Sequence, residues 1–490
     1  MPNAAAPTDE PRAASLAPAA IPRYSHYALV VLTVVNLLNY IDRQVLPSVA
    51  SYMIKDAHLQ LTDAEIGYME STLLLSFTIF APLFGRLGDR YPRAKIMALA
   101  AVIWSFATAL TGAADHLAFL PAISFRVPLV GWSIALSGVA LTLCLVRACV
   151  GIGESAYSTI TPSLIVDYYP RRRRATALGI FQAAIPLGFS LGFVIGGVLA
   201  HFYGWRIAFS IVSVPGLITA FFVWRLREPV RGATDEPEPT TALDETGASS
   251  VALPIAAKDS TAREVWRIFS NHDWLLSTAG YTALTFVLGA FATWVALFLI
   301  RDKGMPESSA PITLGIITLC AGALGTFGGG WLADRIAKGR SRAYFYLCAA
   351  STFLSTGPMF VVLVARSKWV YLPAIFIAVT LIFVNNAPFH ALLLQSVPTH
   401  VRAMAVALNI VVIHTCGDAI SRTAVGVASD ALKAGQLAPL AALARMIGIN
   451  PVEQHLTTAL LVAPTAMFIS TLLFLWGART TKQDAPVRAH

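Results

Sequence analysis

Twelve separate stretches of the chain are long and apolar enough to cross a lipid bilayer as helices. A spanning helix needs about 20 mostly apolar residues, whereas 56% of these 490 residues are hydrophobic and 13% charged. A soluble globular chain carries about 25% charged residues. The sequence therefore excludes an ordinary soluble enzyme and predicts an all-α integral membrane protein. The twelve predicted helices cover residues 27–53, 65–87, 95–113, 132–158, 173–201, 206–225, 274–300, 310–333, 342–365, 369–396, 403–429 and 457–478.

A polar segment divides these helices into two groups of six, which predicts two six-helix bundles joined by a linker. The linker contains Glu-Pro-Glu-Pro at 235–238 and closes with an amphipathic stretch at 261–269, where a short interfacial helix is expected. The predicted organisation is a disordered N-terminal tail at 1–24, bundles at 25–226 and 271–479, a cytoplasmic linker at 227–270 and a C-terminal tail at 480–490.

The two bundles repeat each other in sequence. The segment at 85–90 reads Gly-Arg-Leu-Gly-Asp-Arg, and its counterpart at 330–335 reads Gly-Trp-Leu-Ala-Asp-Arg. A second echo joins 170–175 to 398–403, where a proline precedes an Arg-Ala pair by four residues. Both echoes lie at equivalent helix ends, which predicts two pseudo-symmetric halves. Extra length near 115–138 accounts for the different spacing of the two echoes.

The basic residues predict the orientation in the membrane. If both termini are cytoplasmic, 24 of the 36 lysines and arginines lie in cytoplasmic segments and nine lie on the other side. Basic residues are enriched in cytoplasmic loops. We therefore expect a multi-pass protein of the cell (inner) membrane with cytoplasmic termini. The net charge of +9 reflects this orientation and indicates no nucleic-acid partner.

Among the charged residues inside predicted helices, Asp42, Arg43, Arg147 and Glu154 lie in helices 1 and 4. A charge at the bilayer centre costs about 3 kcal/mol on insertion scales, so such residues are functional candidates. Arg147 and Glu154 are seven residues apart and share one helix face, whereas Asp42 and Arg43 point about 100° apart. We expect Asp42 to pair with Arg147 on helix 4, and Asp42, Arg43, Arg147 and Glu154 to serve in proton coupling or gating. The alternative is a set of structural ion pairs.

Helix 11 holds a possible polar site. His414, Asp418 and Arg422 lie there, and the last two are spaced so that they can satisfy each other. A structural and a functional role are equally open for these three. Glu70, near the outer end of helix 2, is expected to be solvated or interfacial.

The motif Gly85-x-x-x-Asp89-Arg90-x-x-Arg93-x-Lys95 resembles the signature between helices 2 and 3 of the major facilitator superfamily. Glycine allows close helix packing, and the aspartate can meet a helix N-terminus or an arginine across a cytoplasmic gate. The second copy of the motif contains the pair Asp334 and Arg335. The resemblance implies a cytoplasmic gate built from Gly85, Asp89, Arg90, Asp334 and Arg335.

Within that superfamily, the chain resembles the Spinster family of lipid transporters over most of its length. Two positions depart from the family pattern: Arg422 stands where proline is frequent, and Glu70 where an uncharged polar residue is more common. The matching patterns are Asn39–Arg43, Arg147 with Val150–Glu154, Tyr157–Pro162, Gly280–Phe286, Ile413–His414 and Gly417–Ala419.

The resemblance implies a secondary transporter that works by alternating access, with helices 1, 4, 7 and 10 around the substrate cavity. The implied cargo is a lysophospholipid or sphingolipid, with protons and membrane lipids as the other partners and a monomer as the working unit. Drug or organic-ion antiport is the closest alternative. The residues expected to line the cavity are Tyr40, Phe286, Trp294, Phe383, Asn385 and Asn386.

No cofactor or metal is expected. The sequence contains no Gly-x-x-x-x-Gly-Lys-[Ser/Thr] loop for ATP, and its five cysteines lack metal-ligand spacing. Energy must therefore come from an ion gradient or from downhill flow. A proton gradient is the expected source, because a carboxylate facing Arg147 is a ready proton acceptor. A membrane enzyme or a lipid-binding receptor are the rival classes. Against an enzyme, the sequence shows no nucleophile with a base at recognisable spacing. Against a receptor, signalling would not need the two-fold repeat.

Overall fold

The computed structural model describes residues 23–117, 120–126, 133–231, 261–337, 340–398 and 401–481. Within these ranges, twelve helical spans are long and apolar enough to cross a membrane, as predicted. The expected disordered tail at 1–24 lies outside the described residues except for its last two positions. The Glu-Pro-Glu-Pro part of the linker and nearly all of the C-terminal tail also lie outside them.

The described residues of the N-terminal half form six long helices and one small hairpin. Strands β1 (Ile123–Arg126) and β2 (Ser133–Leu136) pair in antiparallel register between α3 and α4. The long helices are α1 (Arg23–Lys55), α2 (Asp63–Arg90), α3 (Arg93–Thr111), α4 (Gly138–Tyr168), α5 (Arg171–Tyr203) and α6 (Trp205–Trp224).

The C-terminal half follows the short helix α7 (Thr261–Phe269), which occupies the predicted amphipathic stretch. Three of its six membrane spans are interrupted. The first break is at Asn385, the second is a π-helical segment at Ile413–Ala419, and the third is at Leu461. The helices are α8 (His272–Arg301), α9 (Ala310–Ile336), α10 (Ser341–Val364), α11 (Lys368–Val384), α12 (Asn386–Gln395), α13 (Arg402–Val412), α14 (Ile420–Lys433), α15 (Ala438–Met446), α16 (His455–Leu460) and α17 (Val462–Thr480).

Helix α4 differs most from the prediction of 132–158. The β-hairpin takes up the first of these residues, and Ser137 then caps the helix by accepting a hydrogen bond from the Ala140 amide. Pro162 lies inside the helix without ending it, so α4 continues to Tyr168. Helix α15 was not predicted, because nine residues are too few to register as a membrane span.

Helix α2 begins with a complete capping box. Thr62 accepts a hydrogen bond from the Glu65 amide, and Glu65 accepts one from the Thr62 amide. The second carboxylate oxygen of Glu65 accepts from the Ser137 amide at 2.8 Å. The starts of α2 and α4 are therefore tied together, which fixes the depth at which both helices present their buried charges.

The two halves pack together at one end of the bundle, which we call the joined end. It carries the α1–α2 connection (56–62) and the α8–α9 connection (302–309). Glycines allow the approach: a Cβ on Gly67 of α2 would lie 2.6 Å from the Arg422 carbonyl oxygen, and one on Gly315 of α9 would lie 2.6 Å from that of Ser190. Backbones this close leave no room for larger side chains at these two positions.

Candidate functional site

An arginine of α1 and a carboxylate of α4 form an ion pair inside the N-terminal half. The Nε atom of Arg43 lies 2.6 Å from Oε2 of Glu154, whose side chain is fully buried, while that of Arg43 is 13% exposed. The Arg43 guanidinium also lies 5.1 Å from the ring centre of Tyr40 and 4.8 Å from that of Phe77. The pair thus presents a partly exposed cation framed by aromatic rings.

The structure shows no hydrogen bond or direct ion pair between Asp42 and Arg147, although the Arg147 charge lies near the Asp42 carboxylate. The buried Asp42 carboxylate accepts a 2.6 Å hydrogen bond from the Thr108 hydroxyl of α3. Because Asp42 and Arg43 are adjacent, they face different neighbours, and Arg43 already faces α4 through Glu154. Asp42 is therefore turned towards α3. Its second oxygen, Oδ1, is buried without a hydrogen-bond partner among the described residues.

Arg147 instead pairs with Glu70, which corrects the expectation that Glu70 is solvated. The Arg147 Nη2 atom lies 2.8 Å from Glu70 Oε1, and the two side chains are 0% and 2% exposed. Glu70 Oε2 accepts a second hydrogen bond, from Arg422 of the other half. Glu70 is buried because Gly67, one turn earlier, brings α2 against α14. The two departures from the family pattern, Glu70 and Arg422, are therefore in contact.

The helix 11 residues form a line along the π-helical segment and α14. Asp418 Oδ1 accepts from Arg422 Nε at 3.2 Å and Nη2 at 3.1 Å, which confirms the predicted pair. His414 Nδ1 lies 3.4 Å from the other Asp418 oxygen, and the His414 ring packs edge-on against Phe77. A π-helical turn is frequent at functional sites, and no sequence pattern indicated this one.

The predicted cavity residues divide into two groups. Tyr40, Phe286 and Phe383 are partly exposed, as cavity walls require. Trp294 is fully buried and donates to the Arg422 carbonyl oxygen at 3.0 Å. It therefore joins α8 to α14 and is not a cavity wall.

The two asparagines lie at the break between α11 and α12. Asn385 is fully buried, and its amide group bonds backbone carbonyls of its own helix. Asn386 is half-buried and accepts a 3.0 Å hydrogen bond from the Tyr281 hydroxyl. The Tyr281 ring in turn stacks on Phe389. Asn385 thus stabilises the helix break, while Asn386 remains a polar group between α8 and α12.

The gate-motif residues Asp89, Arg90, Asp334 and Arg335 are exposed. The ordered contacts of this region involve Arg93 of the same motif, together with Asp167, Glu228 and Arg231, which the sequence did not indicate. Arg93 pairs with Asp167 at 2.6 Å and with Glu228 at 2.7 Å. Arg231 donates to the Gly88 carbonyl at 2.6 Å and also to that of Asp89. These contacts join α3 to α4 and tie the first residues of the linker to the N-terminal half.

At the joined end, Asp63 at the start of α2 binds the C-terminal half. It accepts from Arg301 at 2.8 and 3.2 Å and from Ser429 at 2.8 Å. In return, Asp430 of α14 accepts from the amides of Asp63 and Ala64 at 3.3 and 2.8 Å. An aspartate of one half thus accepts from the first amides of a helix of the other. Separation of this end would leave the Asp63 and Ala64 amides without that acceptor, while Thr62 would still cap the Glu65 amide.

A second contact at the joined end is centred on Glu307 in the α8–α9 connection. Its carboxylate accepts from Ser51 at 2.5 Å and from Lys55 at 2.6 Å. Burial raises the pKa of Glu307, but the hydrogen bonds from Lys55 and Ser51 outweigh burial and hold the pKa below its usual range. The contact therefore persists in mildly acidic solution.

Residues 32–420 match the Major Facilitator Superfamily. The chain is 30% identical to Protein spinster of Drosophila melanogaster over 450 residues, which cover 89% of this chain and 66% of that protein. It is also 30% identical to Protein spinster homolog 1 of Xenopus tropicalis, with 92% of this chain and 81% of the relative covered. The human Protein spinster homolog 1 is 30% identical, with 84% and 74% covered.

Solved structures share the fold. The crystal structure of a bacterial homolog to the human lysosomal transporter Spinster, in an inward-facing and occupied conformation, superposes with a TM-score of 0.75 at 21% identity and covers 96% of this chain and 100% of that one. A D-xylose-proton symporter superposes with a TM-score of 0.69 at 15% identity, with 95% and 99% covered. The predicted fold of two six-helix bundles is therefore confirmed.

Proposed function

Because the chain belongs to the major facilitator superfamily and is a membrane transporter of the Spinster type, we propose that it moves an amphipathic, lipid-like solute by alternating access, driven by a proton gradient. The observation that carries this proposal is the Arg43–Glu154 pair. It combines a partly exposed cation, two aromatic rings and a buried carboxylate at one place inside the bundle. A transporter of this fold binds its solute between the halves near the bilayer midplane.

The substrate class follows from the chemistry around Arg43. A guanidinium binds phosphate or carboxylate through several donors, while Tyr40 and Phe77 offer apolar contact beside it. Phe286 and Phe383 of the C-terminal half are also half-buried. Such a site suits an anionic or zwitterionic head group with an attached hydrocarbon chain. A lysophospholipid or sphingolipid is the proposed cargo.

Proton coupling is assigned to Glu154, with Asp42 as a second carboxylate in the same half. A proton on Glu154 removes its charge and weakens its hold on Arg43, which then becomes available to an anionic head group. Asp42 has one buried oxygen without a partner among the described residues, and a proton could occupy it at little steric cost. Protonation of Glu154 and binding of the head group to Arg43 would therefore favour each other. Both would oppose the Arg43–Glu154 ion pair.

The orientation is also a proposal. With cytoplasmic termini, the joined end faces outward, so the conformation is inward-facing. The cross-half contacts of Asp63, Asp430 and Glu307 support this reading. The bacterial Spinster homolog with a similar fold was captured inward-facing as well.

Competition binding tests the substrate class. Purified protein is titrated with lysophospholipids, a sphingolipid and cationic dyes of matched hydrophobicity. We expect the lipids to bind more tightly, and Arg43→Ala to weaken them while leaving dye binding unchanged. Arg340→Ala, at an exposed position before α10, is the matched control. Tight binding of the dyes alone, unaffected by Arg43→Ala, would favour drug antiport, since the Glu154 carboxylate could hold a cation.

A further inference from the structure

A line of alternating charges crosses from one half to the other between α4 and α14. Arg147 on α4 binds Glu70 on α2, Glu70 binds Arg422 on α14, and Arg422 binds Asp418 on the π-helical segment. The first three side chains are at most 9% exposed, and Asp418 is 16% exposed. Little solvent screening is available at this depth, so each contact is strong.

The line has one bond that crosses between the halves. Arg147 and Glu70 both belong to the N-terminal half, and Arg422 and Asp418 both belong to the C-terminal half. Among these four residues, the Glu70–Arg422 contact is the one that joins the two pairs. If the halves separate here, each arginine keeps a carboxylate of its own half. An unpaired buried charge is far more costly than a paired one, so this arrangement lets the crossing bond break without leaving a lone charge.

We propose that the Glu70–Arg422 bond is a reversible interdomain contact that favours the joined conformation, and that Asp418 determines how readily it breaks. The inference rests on the proposed alternating-access function and adds a pair of positioning residues to it. Glu70 holds the joined conformation by binding Arg422. Asp418 opposes it, because it gives Arg422 a counter-ion in the separated conformation.

Two carboxylates on the same arginine should therefore shift the equilibrium between joined and separated conformations in opposite directions. Glu70→Gln removes the crossing bond and should increase the separated population. Asp418→Asn leaves Arg422 dependent on Glu70 alone, so separation would strand its charge and the joined population should increase. Two carboxylates with a merely structural role would shift the equilibrium in the same direction or only lower stability.

The test measures distances between spin labels on His58 and Lys433, which are exposed on the two halves at the joined end. The full-length protein, with its five native cysteines replaced, is studied in lipid nanodiscs at one pH and without substrate. We expect Glu70→Gln to raise the ratio of long to short distances about tenfold, the effect of losing about 1.4 kcal/mol. Asp418→Asn should lower that ratio.

Two further variants keep the test decisive. Arg422→Gln removes the same bond while Arg147 keeps Glu70, so it should reproduce the Glu70→Gln shift even if the latter variant folds poorly. The double variant with both Glu70→Gln and Arg422→Gln should shift the ratio no further than either single change. Asp273→Asn is the matched control, because this buried aspartate binds Thr481 within the C-terminal half.

The proposal is overturned if Glu70→Gln and Asp418→Asn shift the distances in the same direction, or if Arg422→Gln leaves them unchanged. It is also overturned if the shifts of Glu70→Gln and Arg422→Gln add in the double variant that carries both changes. The readout requires no substrate or proton gradient. A failure of the lipid or proton assignment would therefore appear in binding and uptake assays and leave these distances as expected.

Discussion

Arg43 and Glu154 form the smallest unit to which a transport role can be assigned. Both are buried or nearly so, and they are 2.6 Å apart. The Arg43 side chain is 13% exposed beside two aromatic rings, and Glu154 balances its charge. Any event that removes the Glu154 charge changes what Arg43 can bind. Proton coupling at this pair therefore needs no large local rearrangement.

Glu154→Gln tests that role, because glutamine keeps the size of the side chain but cannot exchange a proton. We expect uptake driven by a pH gradient to fall to the rate seen without a gradient, while exchange of substrate down its own gradient continues. Uptake and exchange are measured in proteoliposomes. Glu453→Gln, at an exposed position, should leave both rates unchanged. Wild-type gradient dependence in Glu154→Gln would remove this carboxylate from the coupling mechanism.

Glu307 allows a prediction about pH at the joined end. Its pKa is lowered in the folded protein, so the stabilisation it supplies is present above the ordinary glutamate pKa of about 4.3 and is lost only as pH falls through the lowered value. Glu307→Gln should therefore favour separation of the joined end equally at pH 5.5 and 7.5. The change should be at most about 1 kcal/mol, because Lys55 is 68% exposed.

Distance labels on the two halves check this expectation. If the effect of Glu307→Gln at pH 7.5 disappears at pH 5.5, Glu307 titrates in that range and the assigned direction of its pKa is wrong.

At the scale of elements, α5 and α9 meet through Gly315. A Cβ at this position would lie 2.6 Å from both the Ser190 carbonyl oxygen and the Val194 side chain. Gly315→Ala should therefore push the halves apart at the joined end. Gly328→Ala, on the same helix, meets nothing within 4 Å and should gain about 1 kcal/mol of helix stability.

Distance labels and thermal unfolding of the two alanine variants separate these effects. We expect longer distances and a lower Tm for Gly315→Ala, and unchanged distances with an equal or higher Tm for Gly328→Ala. Identical behaviour of the two variants would show that the α5–α9 contact does not set the conformation.

The helices were predictable because each needs only a local apolar run, and the structure shows twelve spans close to the predicted ones. Helix α4 was misplaced because apolar residues continue through the hairpin into the helix. The ion-pair partners of the buried charged residues were harder to predict from the sequence. Glu70 and Arg422 are 352 residues apart, and the direction of a side chain within a bundle depends on helix packing. Because Asp42 and Arg43 are adjacent, the sequence predicted that their side chains point in different directions. It could not indicate which of the two faces α4.

For the whole molecule, orientation is the first quantity to test. The basic residues predict cytoplasmic termini, which places the exposed Lys55 and Lys433 of the joined end outside the cell. Cysteines introduced at these positions in a cysteine-free chain should react with an impermeant reagent added to intact cells. A cysteine at Arg90, exposed at the other end of α2, should react only after lysis. The opposite pattern would reverse the assignment of the conformation as inward-facing.

Proton-driven movement of a lysophospholipid across a membrane is the central claim of this account. The most direct measurement is uptake of a labelled lysophospholipid into proteoliposomes, with and without an imposed pH gradient. We expect uptake above that of protein-free vesicles and stimulation of this uptake by the gradient, and a protonophore should return uptake to the rate seen without a gradient. Binding of the lipid without transport in either condition, or gradient-driven movement of hydrophobic cations alone, would contradict the account.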